Sequence, residues 1–476
     1  MDLINVIINK KNWKNKLENP QILAKWEKEL NDQHAPKGAL NLIVKLLNTY
    51  KNKKSVWDLY DELSRHASYK YVSDITLSPS DLDILCTGCD CLICTEGNRY
   101  CIDDALESGD DEYYKTLLAM DRKICKCVNQ YAIKSQQFID NHTYTSKNLI
   151  SNVLNVKLIH CVDDFKHGKL KDYHPGSDNK VIDIVHPSMY CYVDGVTELR
   201  SGNVCDTSTT LFRWLPTDFS VEWGNSNNVT QLSINSYINN ISTKYEALYR
   251  TIGEILSLMV PKFNNLLAKP VISTKLKKTL QIKNKFQAIV KIGRTELYPD
   301  KPVFPGGSWH LEGMPDENIV ATGIYYFNID NMTPHSLDFR TSLSSSLQID
   351  YPQNGTEYVK LHYDMDNTND STKSVFNLGK ITPENGMCLI FPNFLQHKVS
   401  RFELEDPQKY GYRDILVFFL IDPTSPVVST GNVARQQKKM SESEAEFYRE
   451  LLMFERKYEI NDQNLFYERG WSLCEH

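Results

Sequence analysis

Two histidines and one glutamate have the types and spacing for metal chemistry. In Trp309-His310-Leu311-Glu312-Gly313, the strand period of two turns His310 and Glu312 to one side and Leu311 to the other. His397 follows later, at the start of the run HKVSRFEL. Two imidazoles and one carboxylate on one face of an ion leave positions open, the facial arrangement of non-haem iron(II) oxygen chemistry. Neutral nitrogens with a single carboxylate keep the ion divalent and exchangeable, and the open positions admit a bidentate oxo-acid and then dioxygen. Arg413 opens the apolar run RDILVFFLI. An arginine directed into an apolar pocket needs a carboxylate partner, and the far carboxylate of 2-oxoglutarate would pair with it bidentately. Alone, the H-x-E triplet reads more readily as a pair of hydrogen-bonded strand residues; the order H-x-E, β-rich stretch, His, Arg favours iron(II).

The elements that must position these groups change character along the chain. The first 160 residues are mainly helical by pattern. MDLINVIINKKNWKNKL reads as an amphipathic helix, and Asn19-Pro20 starts another as cap and first residue, followed by Ile22, Leu23, Trp26 and Leu30 at helical spacing. Leu40 to Leu47 and a segment from Ser55 with Trp57, Tyr60 and Leu63 predict two more. Thr243 to Glu246 has the form of a capping box opening a helix that Pro261 stops. From about Phe286 the runs FQAIVKI, IVATGIYYF, EYVKLHY, MCLIF, HKVSRFEL and ILVFFLI predict short strands of a sandwich or barrel. Polar stretches 342–356 and 364–374 interrupt them as candidate lids. Past Thr430 a helical period returns, with Phe447, Leu451 and Phe454 on one face.

Cys86-x2-Cys89 and Cys91-x2-Cys94 form a second group, with Cys101, Cys125 and Cys127 nearby. Paired thiolates are zinc ligands, although these pairs nearly overlap and one ion would draw on the later cysteines; free thiols in a loop are the other reading. At 476 residues and a net charge of −6, the chain carries no basic footprint for nucleic acid. It has no apolar run of bilayer length and no signal-peptide pattern, so it is expected inside the cell, with its thiols reduced. His174 and His186 read as satisfied structural histidines. Arg340 reads as a surface ion pair, and is the second choice for the co-substrate carboxylate.

The stretch PGGSWHLEGMPDENIVATGIYYFNIDNMT resembles the signature of the family called domain of unknown function 4246. Five further blocks match in order: KDYHPGSDNKVIDIVHPSMY (171–190), FRWLPTDF (212–219), SINSYINN (233–240), FPNFLQHKVSRFEL (391–404) and STGNVARQQ (429–437). That family, mostly fungal, is regarded as 2-oxoglutarate/iron(II) oxygenase-like. The resemblance implies an α+β chain with a double-stranded β-helix (jelly-roll or cupin-like) core, a helical N-terminal region and a C-terminal helix. It implies iron(II) on His310, Glu312 and His397, and 2-oxoglutarate on Arg413. Tyr325, on the strand after the triplet, is assigned as a hydroxyl reaching the co-substrate; either it or Tyr326 should face the core. Two departures reshape the pocket rim: Tyr410-Gly411-Tyr412 where the family has Pro-Gly-His, and Ala434-Arg435 where it has two prolines. The expected organisation is 1–165 helical with a Cys-rich loop at 86–127, 166–430 oxygenase with the β-helix from about 285, and 431–476 helical extension. The expected activity is hydroxylation of an unidentified substrate with dioxygen, releasing succinate and CO2. Two rival classes share these residues: a zinc hydrolase on the same ligands, which leaves Arg413 unexplained, and a non-catalytic scaffold.

Overall fold

A computed structural model gives the architecture of the chain. It describes residues 3–8, 10, 12–33, 35–51, 136, 139–200, 210–225, 227–268, 280–342, 372–373, 375–468 and 470–471. The N-terminal stretch forms α1 (Leu3–Ile8), α2 (Trp13–Lys16), α3 (Pro20–Asp32) and α4 (Ala39–Thr49). Asn12, at φ 57°, breaks the expected single first helix in two. Asn19 caps α3 by accepting from the backbone N–H groups of Gln21 and Ile22 at 3.0 and 3.2 Å. Next come β1 (Tyr144–Ser146), α5 (Asn152–Lys166), β2 (Val181–Val185), β3 (Tyr192–Val193), β4 (Phe212–Arg213), β5 (Thr217–Trp223), β6 (Val229–Ile234) and α6 (Glu246–Leu267). The β-rich part holds β7 (Lys285–Leu297), β8 (Val303–Phe304), β9 (Ile319–Asp330), β10 (Leu337–Ser342), β11 (Thr372–Lys373), β12 (Val375–Ile381), β13 (Met387–Pro392), β14 (Gln396–Val399), β15 (Phe402–Glu403) and β16 (Gly411–Ile421). The chain then forms α7 (Glu442–Tyr467) and β17 (Gly470–Trp471). The helix expected from Ser55, the strand EYVKLHY, the polar stretches apart from Ser342, Thr372 and Lys373, and all of Cys86, Cys89, Cys91, Cys94, Cys101, Cys125 and Cys127 lie outside the described residues.

The architecture is α+β around a double-stranded β-helix. Its larger sheet is antiparallel with eight strands, in the order β1-β13-β9-β16-β7-β5-β6, and β2 also pairs with β7. The 13 residues of β7 let its first half pair with β5 and its second half with β2. The smaller sheet runs β12-β10-β14. Strands β9, β13 and β16 are largely apolar on both faces, because both faces are covered. Ile324, Tyr326, Leu389, Phe391, Val417 and Phe419 point inward, toward Phe339 and Leu337 of the smaller sheet. Tyr325, Phe327, Cys388, Ile390, Leu416, Phe418 and Leu420 point outward, under α5 and α6. Each fully buried side chain of this kind contributes about 1.5–3 kcal/mol.

Two expectations for α6 fail. Tyr245 stands at the N-cap with no side-chain cap, so Thr243 and Glu246 form no capping box. Pro261 lies inside the helix, which continues to Leu267. A mid-helix proline costs about 3 kcal/mol; burial of Phe263 and Leu266 beyond it, and the Asn264 amide bonded to both backbone groups of Ile282, offset that cost. No described helix is long and apolar enough to cross a membrane.

Candidate metal centre

His397 lies in β14, paired on one side with Phe339 of β10. On its other side it exchanges backbone hydrogen bonds with His310, at 3.2 and 3.0 Å, so His310 extends the smaller sheet by one bridge. Residues directly opposed across such a bridge carry their side chains to the same face, and the two imidazole centroids stand 4.4 Å apart. Glu312 returns to that face two residues after His310. Asn393 holds it there: the Glu312 N–H donates to its Oδ1 at 2.9 Å, while its Nδ2 donates to Glu312 O and Ile319 O at 2.9 and 3.0 Å.

Glu312 Oε1 then lies 3.3 Å from His397 Nε2 and 3.9 Å from His310 Nε2. One donor atom from each of the three residues falls within 4.8 Å of the others. Both rings are oriented from behind: His310 Nδ1 is 2.8 Å from Ser308 O, and His397 Nδ1 is 3.3 Å from Leu395 O. A carbonyl accepts only, so each Nδ1 carries a proton and each Nε2 is turned toward the carboxylate. Two imidazole nitrogens and one carboxylate oxygen converging in this way fit a divalent ion. Burial, then the neighbouring His397, push the His310 pKa down to about 4. Burial raises that of Glu312, but the His397 hydrogen bond and the charges of His310 and His397 outweigh it and bring it to about 2. At neutral pH His310 is therefore a neutral imidazole and Glu312 a carboxylate, the states that bind metal.

Arg413 points inward from β16, opposite Thr295 of β7. Its Nη1 donates to His335 Nε2 at 2.7 Å, and its guanidinium lies 5.1 Å from the Phe402 ring centre. His335 Nδ1 is 3.2 Å from Thr333 O, which puts the proton there and leaves Nε2 to accept. Among the described residues no carboxylate pairs with Arg413, and its buried Nε has no partner. The neighbouring Tyr326 is on the same inner face, its phenol pushed up to about 12 by burial, with Arg413 pulling the other way.

Tyr325 is not brought to this face. Its side chain points outward and its hydroxyl donates to Asn155 of α5 at 2.7 Å. Arg340 is not a surface pair: it is buried, 4.6 Å from the Trp309 ring centre, and donates to Gln396, Glu468 and Asn464 at 2.7, 2.8 and 3.0 Å. It has no vacant donor geometry to offer a co-substrate of the kind Arg413 has. Sequence reasoning missed His335, Asn393 and Lys291. Only Lys291 left a local signal, a lysine interrupting the apolar run FQAIVKI at an inward position; its charge acts on both His310 and Glu312.

Residues 122–281 and 269–444 match the family described as "Protein of unknown function (DUF4246)". The chain belongs to the DUF4246 family. No curated protein matches it. Among solved structures, IDO from Bacillus thuringiensis is similar at 11% identity and a TM-score of 0.28, covering 60% of this chain and 96% of its own. The Fe(II)/(alpha)ketoglutarate-dependent dioxygenase TqaL is similar at 13% identity and 0.28, covering 64% and 90%. A 2OG-Fe(II) oxygenase-family oxidoreductase from Burkholderia pseudomallei is similar at 9% and 0.27, covering 63% and 91%. Scores this low carry no weight for the function of the DUF4246 chain.

Proposed function

We propose that this DUF4246 chain is an iron(II)- and 2-oxoglutarate-dependent dioxygenase that hydroxylates a substrate within the β-helix. One observation carries the reading: three converging candidate metal donors share an interior with a desolvated arginine that, among the described residues, has no carboxylate of its own. His310, Glu312 and His397 would hold the ion, and Arg413 the far carboxylate of 2-oxoglutarate. When bound, iron(II) supplies the redox chemistry that couples decarboxylation of 2-oxoglutarate to succinate with oxidation of substrate. The protein supplies position and dryness. Asn393 fixes Glu312, the carbonyls of Ser308 and Leu395 fix both imidazoles, and His335 steadies Arg413 without neutralising it. Phe339 and Phe391, with ring centres 6.4 and 4.8 Å from that of His397, would give the centre an apolar wall on that side. Zinc hydrolysis on the same ligands leaves Arg413 without an anion. We further propose that the oxygenase unit begins near residue 139 and not at 166, because β1 pairs with β13 and α5 covers the larger sheet.

The test is an anaerobic titration of metal-stripped protein with iron(II) and then 2-oxoglutarate, followed by succinate release in air. Wild type should bind both and form succinate; His310→Ala and His397→Ala should lose iron binding and turnover while melting like wild type. Unchanged iron binding in both variants would exclude the site. Wild type that binds iron but no 2-oxoglutarate would exclude the co-substrate.

A further inference from the structure

A second group with metal-ligand chemistry lies on β2 and its flanks. A bridge between Tyr173 and Ile182 folds residues 172–174 back along β2, and His174 N–H donates to Val181 O at 2.8 Å. Asp183 faces the β-helix interior opposite Gly293, and His186 follows one residue after β2. His174 Nδ1 lies 2.9 Å from Asp183 Oδ2, a spacing like that between His397 and Glu312. The His174 and His186 ring centres are 5.2 Å apart, and one donor atom from each of the three residues falls within 4.8 Å of the others.

Hydrogen bonding satisfies most of this group, as expected of structural histidines, but not all. Asp183 Oδ1 is buried without a hydrogen-bond partner, in a residue only 6% exposed. An ionised carboxylate oxygen left so is costly, and native proteins rarely leave one without a proton, a donor or a cation. His186 Nδ1 accepts the Ser188 N–H at 3.2 Å, a long hydrogen bond that an ion at either ring nitrogen would displace or turn. Lys291, whose charge acts on Asp183 and His186 as on His310 and Glu312, opposes a cation at either group; each group answers it with one carboxylate.

We propose that His174, Asp183 and His186 form a second metal site, taking a divalent first-row transition ion of the zinc or iron(II) class. Two imidazoles and a carboxylate suit borderline ions and not magnesium or calcium, which prefer oxygen throughout. The partly exposed His174 ring gives the ion a route from solvent.

Zinc is the probe. Metal-stripped full-length protein is dialysed against Zn2+, and bound zinc per chain is counted for wild type, Asp183→Asn, His174→Gln, the double variant His310→Ala/His397→Ala, and Asp183→Asn in that double background. Asp183→Asn and His174→Gln should each bind one equivalent fewer than wild type. The double variant should lose a different equivalent, so the combined variant should lose both. Any ion held by the Cys86–Cys127 thiols contributes equally to all five and cancels. Equal zinc in wild type, Asp183→Asn and His174→Gln would overturn the second site. So would a combined variant that loses no more than the double variant, since one shared ion would then explain both groups. Should Asp183→Asn fail to fold, the His174→Gln count, made at a partly exposed ring, decides alone. A double variant that binds as much as wild type rejects the first site and leaves the second standing.

Discussion

Arg413 keeps a full charge among neutral partners, and that imbalance makes its role measurable. Truncating one member of a desolvated charge pair costs about 2–5 kcal/mol, or roughly thirty- to several-thousand-fold in affinity. Arg413→Ala should weaken 2-oxoglutarate by that range at saturating iron(II), while leaving iron affinity nearly as in wild type. Arg413→Lys keeps the charge but not the planar fork and should recover only part. An unchanged 2-oxoglutarate affinity in Arg413→Ala would move the anchor elsewhere. The partner of Arg413 yields a second prediction. Burial first, then the Arg413 charge, push the His335 pKa from 6.5 down to about 4. Between those values the unfolded chain takes up a proton that the folded one refuses, so the folded state loses stability as pH falls through that window. His335→Gln removes the difference. Its melting temperature should fall less than that of wild type between about pH 6.5 and 4, and parallel slopes would deny His335 a buried neutral state. Residue parity served the sequence reading at one place: alternation put His310 and Glu312 on one side of the chain, and the structure brings their donor atoms together. Parity also misled, because IVATGIYYF has apolar residues on both faces and no alternation distinguishes Tyr325 from Tyr326. Only the burial of α5 and α6 on one face does that.

At the scale of elements, α6 comes so close to β9 that one glycine decides the contact. A Cβ on Gly323 would sit 2.7 Å from both Met259 Cε and Phe263 Cζ, closer than packed atoms come. Gly323→Val should therefore destabilise the chain by about 1–3 kcal/mol in denaturant titration, without a positive-φ argument. Gly293 is the internal control, since its nearest atoms to a new Cβ are at 3.8 and 3.9 Å. Gly293→Ala should leave the midpoint near that of wild type; equal losses in both variants would show that β-strand glycine itself matters, and not the helix contact. The strands were legible because their runs are long, apolar and bounded by turn residues. The α6 errors have a common cause: local signals at Thr243 and Pro261 were outweighed by burial of Leu248, Phe263 and Leu266, which only the folded sheet supplies. Asn393 and His335 were illegible for a related reason. Each works by reaching a residue far along the chain, and neither has a spacing that announces it.

Across the whole molecule, the last turn of α7 grips the candidate metal centre from outside. Asn464 donates to Trp309 O at 3.1 Å and accepts from Arg340 and Gln396 at 3.0 and 3.2 Å; Gln463 accepts the Leu311 N–H at 3.4 Å, and the Tyr467 hydroxyl donates to Phe394 O at 3.2 Å. These contacts flank both proposed histidine ligands without touching their donor atoms. Supports of this kind typically carry ten- to a hundredfold in metal affinity. Asn464→Ala should weaken iron(II) by about that range, and a wild-type iron affinity in this variant would reduce α7 to a cover. The helix periodicity of Phe447 and Leu451 foretold that α7 packs, but not that its far end reaches back 155 residues to Trp309. That reach has a consequence for how the protein comes into being. During synthesis His310 and His397 leave the ribosome well before Asn464 does, with the strands around them already able to pair. The candidate ligands are then present in a looser cage, and the tight one closes only when α7 docks. On the proposed reading, a chain whose α7 has not yet docked would exchange an ion at this centre freely and one with α7 docked slowly, so the choice of metal would be fixed late.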